Sequence, residues 1–158
     1  MTSLILFLQF VCLSLWIGGS AALVVITAPS VFRTTPILQA GELMSLVMRS
    51  YTALLASVQV LLLASLYLQL LVLSDVLNLK LRLALSITSL ATLLTVYLRF
   101  VMLPKIDAMR STLPEVENDD QGRARFYYFR RSQGRSMVML ASNLFLGLCV
   151  VITLIVPF

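Results

Sequence analysis

Of the 158 residues, 59% are hydrophobic and only 12% are charged, with a mean hydropathy of +0.97. A soluble domain carries roughly twice that share of charge, so a water-soluble fold is excluded. The net charge of +5 resembles a nucleic-acid signal, but the basic residues crowd beside apolar stretches, where they read as orientation signals and lipid attraction.

Four long stretches, residues 3–28, 50–74, 80–103 and 136–157, are nearly free of charge. Each is long enough to cross a bilayer as a helix, which needs about 20 apolar residues. The expected fold is all-α: an integral membrane four-helix bundle forming one domain over residues 1–158. A leader peptide is the competing reading of the first stretch, because Gly18-Gly19-Ser20-Ala21-Ala22 follows an apolar run. No basic residue precedes that run and it continues through Leu23-Val24-Val25-Ile26, so a retained helix is expected.

In chain order, the first span is expected to end near Ala28-Pro29, where proline lacks the donor that continues a helix. Thr35-Pro36 reads as a cap followed by proline at the first helical position. Residues 36–49 then alternate apolar and polar side chains at helical spacing. They predict an amphipathic interfacial turn or helix before the second span, either separate from it or running directly into it, with Gly41 as the candidate bend. Ser74-Asp75 closes the second span and Asn78 caps the third, a connection so short that the two must be antiparallel neighbours. The third span is expected to stop at Leu103-Pro104, opening a connection over about residues 105–135. Its acids, Glu115, Glu117, Asp119 and Asp120, precede its arginines, as suits the dipole of a helix leading into the fourth span. Phe126, Tyr127, Tyr128 and Phe129 sit among those arginines like an interfacial aromatic belt.

Orientation follows from the basic residues. Arg33, Arg49, Arg99, Lys105, Arg110, Arg123, Arg125, Arg130, Arg131 and Arg135 belong to one side, and Lys80 and Arg82 to the other. The positive-inside rule puts the long connection in the cytoplasm and both termini outside, in a cell (inner) membrane.

Histidine is absent, which removes the usual haem ligand, the commonest zinc ligand and the default general base at neutral pH. Cys12 and Cys149 lie in separate spans with no CxxC spacing, and read as small apolar residues. No cofactor, no metal site and no catalytic residue is expected, and the chain reads as a protein other than an enzyme.

Three groups of residues carry the remaining signals. Ser14, Gly18 and Ala22 recur every fourth residue and make a smooth stripe for close helix approach, either inside the bundle or at a seam with a partner or a second copy. Gln59, Thr92 and Asn143 lie within spans, where polar groups need partners; bonds across the bundle are expected before a transport path. Arg99 sits about one turn before Pro104 and is expected to snorkel to lipid phosphate. The functional alternative gathers Arg33, Glu42, Arg49, Arg99 and Asp107 into one polar cluster on the cytoplasmic face.

Trp16-Ile17-Gly18-Gly19, Ala28-Pro29, Val31-Phe32, Ala40-Gly41 and Arg49-Ser50-Tyr51 resemble the first half of the transmembrane protein 205-like family. In bacteria that family is catalogued as domain of unknown function number 4149. Arg99 and Leu103-Pro104-Lys105-Ile106-Asp107-Ala108-Met109-Arg110 are similar to the segment closing its third helix. The resemblance implies four membrane helices and brings no established reaction. The family pattern has a histidine near the start of the last helix, where this chain has Phe129-Arg130-Arg131-Ser132. The function expected is that of a small structural or accessory subunit packing against other integral membrane proteins or itself, in contact with lipid and not nucleic acid. A small homo-oligomeric transporter or exporter is the alternative.

Overall fold

The computed structural model describes residues 2–34, 37–72, 78–111 and 120–155. Among them there is no strand. The α-helices are α1 (Thr2–Ala21), α2 (Ala28–Thr34), α3 (Ile37–Val72), α4 (Asn78–Tyr97), α5 (Leu103–Ser111) and α6 (Asp120–Ile155). They make four membrane-length rods: Ser3–Thr34, Gln39–Leu71, Leu79–Met109 and Tyr127–Ile155. Each rod packs against the next in sequence and the first closes against the last, a four-membered ring of helices.

The side-chain distribution is that of a protein dissolved in lipid. Trp16, Met44, Met48, Leu55, Leu62, Leu66, Leu98, Leu140 and Val150 fill one core, yet Phe7, Phe10, Val25, Leu93, Phe100 and Phe145 stand exposed on the outside. An apolar exterior of that extent belongs to hydrocarbon rather than water. Inside hydrocarbon the backbone must satisfy its own hydrogen bonds, and continuous helices do so.

Two helix ends differ from those the sequence suggests, and for one reason. The first rod does not stop at Pro29; it runs on through α2 to Thr34. The third does not stop at Pro104; it runs on through α5 to Ser111. In each case a π turn comes just before the proline: Ala22–Thr27 ahead of Pro29, and Leu98–Met102 ahead of Pro104. The Ala28 N–H reaches back to the Leu23 carbonyl, and the Leu103 N–H to the Leu98 carbonyl. A turn closed five residues back is wider than an α turn, and makes room for a ring that would otherwise meet the carbonyl four residues earlier. The proline rule fails because it assumes an unbroken α-helix upstream.

Of the two readings of the stretch before the second span, the structure takes the continuous one. α3 runs as one α-helix of 36 residues through Gly41. Gly41 lets the last helix come close: a Cβ there would lie 3.0 Å from Phe129 Cζ and 3.1 Å from Gln133 Nε2. The expected connection over residues 105–135 is also mostly helical. Residues 105–111 complete α5, and α6 begins at Asp120, sixteen residues before the expected start of the fourth span. These extensions pack through Ile106 and Phe129, with Met109 beside them. Thr35-Pro36, Ser74-Asp75, Glu115, Glu117 and Asp119 lie outside the described residues.

Candidate functional site

One amide ties all four rods together at the bundle centre. Asn143, on α6, is 2% exposed. Its Oδ1 accepts from Trp16 Nε1 on α1 at 2.8 Å and from Gln59 Nε2 on α3 at 2.9 Å. Its Nδ2 donates to the Ala91 carbonyl at 3.0 Å and to Thr95 Oγ1 at 2.7 Å, both on α4. The orientation of this amide is dictated by its neighbours. An indole N–H can only donate and a carbonyl can only accept, so Oδ1 must face Trp16 and Nδ2 must face Ala91. Gln59 then has to present its own N–H. Its Oε1 is left buried with no hydrogen-bond partner among the described residues.

Glycine makes this node reachable. One turn beyond Asn143, a Cβ on Gly147 would lie 3.2 Å from both Trp16 Cε2 and Ile17 Cγ1. A glycine here brings α6 close enough for the indole to reach the amide. Trp16 itself reads in the sequence as part of a family motif and not as a polar partner. Thr92 is not a member of the node, because its hydroxyl bonds the Thr88 carbonyl of its own helix at 2.8 Å. Thr95, three residues on, supplies the contact. A second amide pair, Gln9 Nε2 to Gln69 Oε1 at 2.7 Å, joins α1 and α3 nearer one end.

The inward and outward faces of α1 are one residue out of step. Gly19 lies under Tyr51, whose Cε2 would be 2.8 Å from a Cβ there, and the Tyr51 hydroxyl shares a 2.7 Å bond with Ser20 and reaches the Trp16 carbonyl at 3.2 Å. Gly18 is turned about 100° away from Gly19, the rotation per helical residue. A Cβ on Gly18 would meet nothing within 4 Å, and Ser14 and Ala22 are exposed beside it. Among the described residues, the small-residue stripe therefore faces away from the core of the bundle. Ser14 and Gly18 line an apolar groove of about 390 Å³ with Leu6, Phe10, Val151 and Leu154.

Three of the five residues expected in the polar cluster come together. Arg49 Nη2 pairs with Asp107 Oδ2, and Arg99 Nη1 donates to the Arg49 carbonyl at 2.9 Å. Ser45, not anticipated, donates to the other Asp107 oxygen at 2.6 Å. Glu42 is exposed on α3 one turn before Ser45, and Arg33 is exposed at the end of α2. Among the described residues, no group of three or more histidines, cysteines or carboxylates could hold a metal ion.

The fold and its polar centre define a multi-pass, four-helix integral membrane protein. The chain belongs to the family described as Domain of unknown function (DUF4149), whose family model matches residues 11–113. That stretch includes Trp16, Gln59, Thr95 and the Arg49–Asp107 pair, while Asn143 lies beyond it. No curated protein and no solved structure matches the chain.

Proposed function

We propose that this chain is a non-catalytic accessory subunit that packs against another integral membrane protein through the Ser14, Gly18 and Ala22 face of its first helix. The observation that carries this reading is the open space over Gly18. Lipid tails are as apolar as leucine, so helices associate in membranes through close packing, which small residues permit. The bundle does not use this face itself, and the groove beside it has room for the side chains of a partner helix.

The pairing of Asn143 with Trp16, Gln59 and Thr95 favours this reading over a transporter, since a water-filled path would need those groups turned to water. The distribution of basic residues supports placing the Arg49–Asp107 end at the cytoplasmic surface of the inner membrane, with both termini outside. The wider kinship with transmembrane protein 205-like proteins rests on the Trp16-Ile17-Gly18-Gly19 and Leu103-Pro104-Lys105 motifs.

The test is Gly18→Leu, compared with wild type by mild-detergent purification and mass spectrometry. The variant should fold with unchanged thermal stability, since Gly18 is exposed and a Cβ there meets nothing within 4 Å among the described residues. A membrane protein held by wild type at fixed stoichiometry should be lost. Recovery of wild type only as a lone monomer, with transport activity in liposomes, would overturn the proposal.

A further inference from the structure

At the Asp107 end of the bundle, two arginines from neighbouring helices are joined through Arg49, whose side chain pairs with Asp107 and whose carbonyl accepts from Arg99. Arg99, Leu103 and Asp107 follow one another at four-residue spacing down the third rod, and Ser45 and Arg49 are one turn apart on α3. Asp107 uses one carboxylate oxygen for Ser45 and the other for Arg49, so the Arg49 guanidinium is anchored from its side. The Arg49 carbonyl in turn anchors Arg99 through Nη1. Leu103, midway between Arg99 and Asp107 in sequence, is buried.

Two guanidiniums and one carboxylate leave a surplus of one positive charge at this spot. Anchoring does not hide it, because the Arg49 side chain remains 56% exposed. The surroundings are lipid-facing: Phe100 lies 5.8 Å from Arg99 Cζ, and both Phe100 and Val101 are exposed. Each guanidinium carries five donors in a planar fork that matches the oxygens of a phosphate.

We propose that Arg49 and Arg99 together seat the phosphodiester of an anionic phospholipid, whose acyl chains lie along Phe100 and Val101. Asp107 and Ser45 are positioning residues that hold Arg49 to this task. The apolar side chains flanking the arginines select a lipid over a soluble phosphate, because a free ion gains nothing from them.

The experiment is native mass spectrometry of the full chain released from nanodiscs of equimolar phosphatidylglycerol and phosphatidylcholine. Wild type should retain phosphatidylglycerol with a preference of about fivefold, the factor that one near-surface basic side chain confers. The preference should vanish in the Arg49→Gln/Arg99→Gln double variant and survive in Arg82→Gln, which removes one arginine elsewhere. Should the double variant fail to fold, Arg99→Gln alone gives the same reading, since it leaves the Arg49–Asp107 pair in place. Equal retention of the two lipids by wild type would overturn the proposal, as would an undiminished preference in the double variant or in Arg99→Gln. So would a thermal shift with inorganic phosphate alone that equals the shift with phosphatidylglycerol.

Discussion

Replacing Asn143 by alanine perturbs every rod at once. The substitution removes four hydrogen bonds, those to Trp16, Gln59, Ala91 and Thr95. Side-chain bonds between membrane helices average about 0.6 kcal/mol, so the bonds alone come to roughly 2–2.5 kcal/mol. The indole N–H and the Gln59 amide would then be buried donors without an acceptor, each adding about 1 kcal/mol or more. A loss of about 4 kcal/mol or more is expected, before any cavity. Asn143→Leu, of similar volume, should fall nearly as far, which separates polarity from packing. Asn143→Asp retains the acceptor for Trp16 but turns a second oxygen toward the Ala91 carbonyl, and should also destabilise. The measurement is unfolding in mild detergent followed by maleimide labelling of Cys12, which is 3% exposed in the folded bundle. The neighbouring Ser142→Ala changes an exposed side chain and serves as the control. If Asn143→Ala and Asn143→Leu both unfold within 0.5 kcal/mol of wild type, about the mean worth of one such bond, the node does not hold the rods together.

The same geometry orders other substitutions. Gln59→Leu removes one bond and also the unpartnered Oε1, so it should stay within about 1 kcal/mol of wild type, far from Asn143→Ala in the same unfolding assay. Thr95→Val should cost about 1 kcal/mol while Thr92→Val costs close to nothing, because only Thr95 accepts from the central amide. Equal effects would mean that α4 is rotated from the orientation described. Gly19→Ala should lower thermal stability, since its Cβ would lie 2.8 Å from Tyr51, whereas Gly18→Ala should be neutral for folding. A reversed ranking would show that the outward face of α1 is misassigned.

The four spans were legible because hydrocarbon imposes length and apolarity on any helix that crosses it. Their ends were not. Pro29 and Pro104 look like stops when the only alternative considered is an α-helix that must lose a bond. Whether a chain widens into a π turn instead depends on what holds the helix beyond the proline. For the third rod that support is Ile106 against Phe129, a contact between residues 23 apart in sequence. Phe129 also gives Gly41 a role that the sequence leaves open: a bend and a close approach both call for glycine, and the partner helix supplies the close approach.

The polar residues show the same division between what a residue needs and where it finds it. An asparagine in the middle of a span announces that it requires partners. It does not say which of Thr88, Thr92 and Thr95 will answer, since a small rotation of α4 exchanges them. The structure makes the choice through packing: Gly147 admits the Trp16 indole, the indole fixes Asn143, and Asn143 then selects Thr95. The stripe on α1 follows by exclusion. With Trp16, Gly19 and Ser20 turned inward to Asn143 and Tyr51, helical geometry leaves Ser14, Gly18 and Ala22 nowhere to face but out. The node that holds the bundle closed is thus what turns the smooth face outward. Under the proposed accessory role, variants that loosen Asn143 should weaken partner binding even though no residue of that face has changed.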